Sequence, residues 1–508
     1  MGSTFSGLEV AKRALNTQQS ALYTTGQNIA NANTDGYTRQ RVNFEQTAPY
    51  PPASRNRPEI AGQVGSGVQA GSIERVRDQF LDLQFRGENS KLGYYESKAD
   101  ALNQMEEIMN EPSEQGLSKT MDRFWQALQD LSVNPEDSGT RSVVRQRGLA
   151  VAETFEYLSS SLESIRGNLQ NETNVTVKEM NSLLTQINNV NKQIGKIEPN
   201  GYLPNDLYDE RDRLVDQLSG IVNIKVSYSQ TSEQSNAAAT AKGQATIEMV
   251  NGEGKSYNPP VKLVDGVVGE ARFVEVRYDD TLGRNVISEL SIGGTTFTGA
   301  DFSSKGKLQG LVESYGYVDN SEIAGKYPDM LGDLDKMAFE FANTFNQAHK
   351  AGYDLEGNPG QDFFKVNGGE LGAATRLDVT EAIKENGDLI AASQDGTSGN
   401  GNNAQSLAEV MRTPIQNLGN NTSVKSFYES VIGEMAVLSQ EARRLQDNSN
   451  VLTNQVDERR QSVSSVSLDE EMTNMIKFQQ AYNAAARNMT AIDEMLDRII
   501  NNMGLVGR

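Results

Sequence analysis

Leu468-Asp469-Glu470-Glu471-Met472-Thr473-Asn474-Met475-Ile476-Lys477 opens the stretch that decides how this chain must be built. A three–four spacing runs through it as Leu468, Met472, Met475, Gln479, Tyr482, Ala486, Met489, Asp493, Leu496, Ile500 and Met503. At the opposite end of the chain the same spacing recurs in Leu8, Ala11, Leu15, Gln18, Leu22, Thr25 and Ile29. One helix alone cannot bury such a stripe. It needs a partner helix, from the other terminus or from another subunit. The chain reads as one made to assemble.

Both terminal helices carry start signals. Ser6 with Glu9, and Ser467 with Glu470, have the capping-box spacing. Asp469, Glu470 and Glu471 place negative charge at the positive end of the last helix's dipole. Neither Gly nor Pro interrupts Leu468 to Met503, and Gly504 follows as a left-handed stop. At 1.5 Å per residue this helix is roughly 54 Å long.

Inside these brackets lies a second tier. Heptad spacing runs from Val151 to Ile197, and again from Tyr428 to Val456. The two stripes are expected to form an inner bracket nested in the outer one, as the cores of a long-helix bundle. Between Ile221 and Val318 the pattern turns alternating: residues 224–228, 246–250 and 272–278 read as strands, with Asn251-Gly252 and Asp265-Gly266 as turns. Pro49, Pro51, Pro52 and Pro58 predict a stiff extended strap between the first helix and the body. Residues 367–403, rich in Gly, Asn, Asp and Ser, read as a loop or small irregular excursion.

The expected fold is therefore mainly α with a β-rich insertion. Residues 1–60 with 461–508 form a coiled-coil-like axial domain and strap. Residues 61–220 with 319–460 form the long-helix bundle, and 221–318 an outer β domain. Three or four domains also suit 508 residues at roughly 100–200 residues each.

The formal net charge of −21 and pI near 4.7 read as a solvated acidic surface, which argues against nucleic acid or anionic membrane as partners. No apolar run approaches the ~18 residues needed to span a bilayer. The first residues, Met1 to Gly7, lack the basic start and apolar core of a secretory signal. That points to a cytoplasmic protein or to export without a cleaved signal.

Catalytic groups are scarce. There is no Cys and one His, His349, which reads as a packing or capping residue. Zinc sites of the Cys/His type are excluded, and any nucleophile–His pair would have to use that single imidazole. The glycines Gly62, Gly65, Gly67 and Gly71 follow no dinucleotide fingerprint. Asp354-Leu355-Glu356-Gly357-Asn358 looks only faintly like a calcium loop and lacks the twelfth-position Glu. The expectation is no enzyme, no catalytic or metal residue, and no cofactor.

One segment is more specific. Asn28-Ile29-Ala30-Asn31-Ala32-Asn33-Thr34-Asp35-Gly36-Tyr37-Thr38-Arg39-Gln40 reads as a helix end whose amides take up freed backbone groups, followed by an Asp-Gly turn. Its thirteen ordered positions resemble the N-terminal signature of bacterial flagellar rod, hook and hook-associated proteins, and Ser467 to Leu496 resembles that superfamily's last helix. Gly65-Ser66-Gly67-Val68, Arg77 to Leu81, Gly306 to Leu311, and Asn346 through His349 to Phe364 resemble, within it, the hook-associated protein 1 family.

That resemblance implies a structural adaptor between flagellar hook and filament, extracellular and exported unfolded. It implies contact with hook subunits, a second junction protein and copies of itself, and a cytoplasmic export chaperone on the C-terminal helix. The residues implied for self-assembly are Leu8, Leu15, Leu22, Asn28, Ile29, Asn31, Asn33, Thr34, Gly36 and Tyr37. On the C-terminal helix, for both assembly and chaperone, they are Leu468, Met472, Met475, Tyr482, Met489, Leu496, Ile500 and Met503. Another axial subunit, such as a hook or distal-rod protein, would share both terminal signatures. An exported cell-wall hydrolase on an axial frame is the remote alternative.

Overall fold

The computed structural model describes residues 5–51, 55, 62–109, 113–229, 236–419 and 422–502. Its first helix, α1 (Ser6–Ala30), begins after Phe5 with no side-chain cap. The Ser6/Glu9 capping box does not form. Glu9 turns outward to Arg13, 3.2 Å away, where charge pairing in water competes with the cap.

After the signature turn come β1 (Gln40–Gln46) and β2 (Val68–Arg75), which pair antiparallel. Tyr50 and Val64 exchange backbone hydrogen bonds at 2.9 and 2.8 Å. The proline-rich segment therefore leaves and returns at one place. Hairpin pairing of its flanks, absent from a composition-based reading, makes it an excursion and not a strap between first helix and body. Residues 52–54 and 56–61 of it lie outside the described residues.

The body starts with α2 (Gln79–Met109), α3 (Leu117–Val133), the 60-residue α4 (Ser138–Ile197) and α5 (Asn205–Ile221). Asp137 caps α4 by accepting the Thr140 amide at 2.9 Å. Strands β3 (Ile224–Ser229), β4 (Gln244–Val250), β5 (Ser256–Asp265) and β6 (Glu270–Ala271) make one sheet in that order. A second sheet holds β7 (Val274–Asp279), β8 (Val286–Ile292) and β9 (Thr295–Phe297). Then follow α6 (Lys307–Tyr315), β10 (Tyr317–Asp319) and β11 (Glu322–Ala324), whose strands complete the second sheet, and α7 (Lys326–Lys350). The alternating pattern read across 221–318 is thus broken by α6, which packs on α2 and α4.

Beyond α7 the chain is irregular but built into the core. It holds β12 (Phe364–Lys365), α8 (Ala373–Arg376), β13 (Asp378–Val379), α9 (Glu381–Glu385) and α10 (Asn402–Val410). Ala373, Ala374, Val379, Ile383 and Ile390 are buried there. The chain ends in α11 (Val424–Ser464) and α12 (Leu468–Asn502).

α1 lies along α12, as the terminal stripes require. The inner bracket is different. α11 packs along α2, and the Val151–Ile197 stripe on α4 is enclosed by α3, α5, α6, α8 and the sheets. The α2–α11 seam is written in small and polar residues, which apolar periodicity does not reveal. Ala99 and Leu102 meet Ala442 and Leu438, while Glu106 accepts from Ser439 at 2.9 Å and pairs with Arg443 at 2.8 Å.

α4 holds both sheets by side-chain amides. Asn191 accepts the Ala245 N–H at 3.0 Å and donates to the Ala245 carbonyl at 2.8 Å. Asn181 does the same with Val274, at 2.8 and 2.9 Å. Further along the core, Phe124, Phe341, Phe345, Phe363 and Phe364 form a ring cluster with neighbouring centroids mostly 5–6 Å apart. Gly148 admits it: a Cβ there would stand 2.7 Å from Phe363.

Candidate assembly interface

The signature segment is a polar knot that ties α1 to α12. Asn28, 1% exposed in the last turn of α1, uses every atom of its amide. Its Oδ1 accepts the Gln40 N–H at 3.0 Å and the Tyr37 hydroxyl at 2.8 Å. Its Nδ2 donates to the Gln40 carbonyl at 2.8 Å and to Glu471 Oε2 at 3.1 Å. The other Glu471 oxygen accepts Arg39 Nε at 2.8 Å, and Arg39 also reaches Glu470 at 2.9 Å. Asn31 Nδ2 bonds back to the Gln27 carbonyl at 3.0 Å, closing the helix. Gly36 takes φ +76°, a left-handed value that favours glycine, against the Arg213 side chain.

Electrostatics follow burial. Burial, then Asp209, Asp206 and Glu471, push the Tyr37 phenol well above its ordinary value, so it stays a donor to Asn28. Burial works to lower the Arg39 guanidinium, but Glu470 and Glu471 reverse this and raise it.

Charge also holds the neck where the chain passes between terminal pair and body. Arg39 N–H donates to the Ser464 carbonyl at 2.9 Å, and Val76 N–H to the Arg39 carbonyl at 2.8 Å. Arg75 pairs with Asp209 at 2.6 Å and Asp212 at 2.9 Å, Arg77 with Asp82 at 2.7 Å, and Arg86 with Asp216 at 2.7 Å. Arg460, near the end of α11, adds a 2.5 Å contact to Asp216 and stacks over Phe85. Burial works to raise the Asp212 carboxyl, and Arg77, Arg75, Arg86 and Arg211 together hold it far below the carboxylate range.

The implied assembly residues divide by exposure. On α1, Leu8, Leu15, Leu22 and Ile29 are half-buried, while Ala11, Thr17, Ala21, Thr24 and Thr25 are buried. One face meets α12 and the other the β1–β2 hairpin; Thr17 Oγ1 donates to the Val68 carbonyl at 3.2 Å. Asn31 and Tyr37 are half-buried; Asn33, Thr34 and Gly36 are exposed.

On α12, Leu496 is 8% exposed, Met475 and Met489 are half-buried, and Tyr482 sits at the exposed margin. Leu468, Met472 and Ile500 face solvent at 48%, 57% and 69%. Met503 lies outside the described residues. The seam runs one residue off the row that Met472 and Ile500 suggest. Glu471 and Phe478, with Ile492 further along, carry it: Phe478 packs edge-on against Phe44 at 5.9 Å, and Ile492 covers Gly7. A glutamate in the seam disguises its phase in any apolar count. Arg39 and Glu471 pair across the seam, and in the sequence each shows only as a charge near a helix end.

His349 is fully buried as a link between segments. Its Nδ1 lies 2.6 Å from the Gln361 carbonyl, and Nε2 accepts the Ala391 N–H at 2.9 Å. Burial lowers its pKa to about 4. Asp354 Oδ1 is occupied by the Glu356 and Asn358 amides at 2.9 and 2.8 Å, a turn rather than a cation loop. No helix among the described residues is long and apolar enough to cross a membrane.

The same three regions stand out against known proteins. Residues 102–364 match the family described as the flagellar hook-associated protein FlgK helical domain. Residues 8–38 match the flagella basal body rod protein family, and 458–503 the flagellar basal body rod FlgEFG protein C-terminal family. Flagellar hook-associated protein 1 of Bacillus subtilis (strain 168) is 48% identical over 514 residues, covering 100% of each chain. Its namesake in Escherichia coli (strain K12) is 23% identical, over 97% of this chain and 98% of its own. The solved structure of the flagellar hook junction protein FlgK from Burkholderia pseudomallei superposes with a TM-score of 0.59 at 14% identity, over 76% of this chain and 100% of that one; this likeness is one of fold.

Proposed function

We propose a way of working that starts from one premise: the chain belongs to the flagellar hook-associated protein 1 family. It is a structural component of the bacterial flagellum, at the junction of hook and filament. It assembles with other flagellar components and with itself.

The finer reading is that α1, the signature knot and α12 make the axial unit, while residues 61–220 with 319–460, and 221–318, stand outside it. The unit's neighbours are hook subunits, further copies of the chain and the second junction protein. Before assembly, an export chaperone holds α12 in the cytoplasm, and the chain is exported unfolded. It performs no catalysis. The observation that carries this reading is the unfinished burial of α12: its inner row is covered by α1, while Leu468, Met472, Ile476 and Ile500 are exposed, with no cover among the described residues. An assembly of parallel copies supplies that cover.

The test is Leu22→Asp and Leu496→Asp in cells lacking the native protein, scored by immunolabelling along sheared flagella. Wild-type label is expected in one band at the hook's distal end. Both variants are expected to lose the band while the purified chains keep their β-sheet signal. Normal incorporation of both would overturn the reading.

A further inference from the structure

The chain has 15 methionines and no cysteine, so the thioethers are its sulfur chemistry. Their placement is uneven. From Met105 to Met435 each methionine is at most 6% exposed, enclosed in the body. On α12 the pattern inverts: Met472 is 57% and Met495 56% exposed, while Met475 and Met489 are half-buried. Met1 and Met503 lie outside the described residues.

Oxidation of methionine follows exposure and turns a flexible apolar side chain into a polar one. We propose that α12 carries a reversible oxidation site, Met472 and Met495, whose state gates entry of the unassembled chain into the flagellum. The proposal rests on the reading of α12 as the assembly helix. The oxidant is a two-electron peroxide such as hydrogen peroxide. Its O–O bond breaks, one oxygen bonds to the sulfide sulfur, which is oxidised by two electrons, and the other leaves as water. The sulfoxide dipole then has to be buried without a partner when a neighbouring copy covers the helix. A methionine sulfoxide reductase with a thiol reductant returns the sulfide and releases the oxygen as water. Met472 stands in the uncovered apolar row and is shielded once a copy covers it; Met495 is 23 residues further on and faces another side of α12, shielded by a second neighbour. A leucine would pack there without this liability; methionine also adapts to successive partners.

The experiment treats purified full-length protein with graded hydrogen peroxide, maps sulfoxides by peptide mass spectrometry, and then measures binding to isolated hooks. Met472 and Met495 are expected to oxidise at least about tenfold faster than any methionine from Met105 to Met435. Hook binding is expected to fall about tenfold, the equivalent of one modest polar burial, and to recover after MsrA with MsrB. The double variant Met472→Leu, Met495→Leu should bind hooks equally with and without peroxide. Oxidation spread evenly through the body, or selective oxidation with unchanged hook binding, would overturn the proposal. Leu496→Asp separates the two layers. If that variant binds hooks normally, the assembly reading itself fails; if it does not bind but the oxidised wild type does, only the oxidation site fails.

Discussion

α4 and α12 are both long helices with heptad apolar spacing, and they end in opposite situations. Along α4 the inward row from Val144 to Ile194 is closed by α3, α5, α6 and α8 and by two sheets. Along α12, Leu496 and Glu471 are the residues buried within the described chain. At roughly 1.5–3 kcal/mol for each fully buried aliphatic side chain, the first helix is sustained by its own domain and the second is not. The same sequence period therefore serves two ends. Where neighbours in the chain complete the burial it makes a core, and where they do not, as on α12, it leaves an apolar surface that we propose other copies cover.

That contrast can be broken most severely in the body. Phe345→Ala, in the middle of the five-ring cluster, is expected to cost about 3–5 kcal/mol, because the rings around it cannot close the cavity. Urea unfolding should show the whole loss in the body transition. A loss under about 1 kcal/mol would mean that the rings around Phe345 close the cavity and that the cluster does not sustain the body.

Acid probes the same region. His349 binds its proton at about 4 when folded against an ordinary value of 6.5, so the unfolded chain takes up the proton first as pH falls. Its contribution is whole above pH ~6.5 and lost between there and pH ~4, amounting to about 3 kcal/mol. Unfolding free energies measured across that window should slope downward. In His349→Gln that part of the slope should vanish, leaving whatever the carboxylates contribute.

A smaller and more local effect is expected at the knot. Glu471→Ala leaves the Asn28 amide and one face of Arg39 without their buried acceptor, costing about 1–3 kcal/mol. Glu470 still holds Arg39, which keeps the loss at the lower end. The change should appear as faster hydrogen exchange at residues 28–40 and in the first turns of α12, with the body transition unmoved. A shift of the body transition would mean that the terminal pair and the body stand as one unit.

Much of this division is legible in the residues. The terminal stripes pair, the Asn28–Gln40 segment closes α1 and turns at Gly36, and three strands of the β region lie where alternation places them. The rest escapes for identifiable reasons. Ala99, Ser439 and Ala442 build the α2–α11 seam without apolar period, so heptad spacing points to α4 where the fold sets α2 against α11. Two facing strands convert the proline run from strap to excursion, and strand pairing is a long-range fact. The phase of α12 is hidden because a charged residue, Glu471, occupies a seam position, and nothing local announces that Asn28 and Arg39 wait opposite it.

The most direct test is hydrogen exchange by mass spectrometry on the full-length chain, free in solution and again within isolated hook–filament junctions. In the free chain, α12 amides should exchange orders of magnitude faster than those of α4, and in the junction the two should become comparably slow. Equal protection of α12 and α4 in the free chain, unchanged on assembly, would contradict the claim that the terminal pair is completed only by its neighbours.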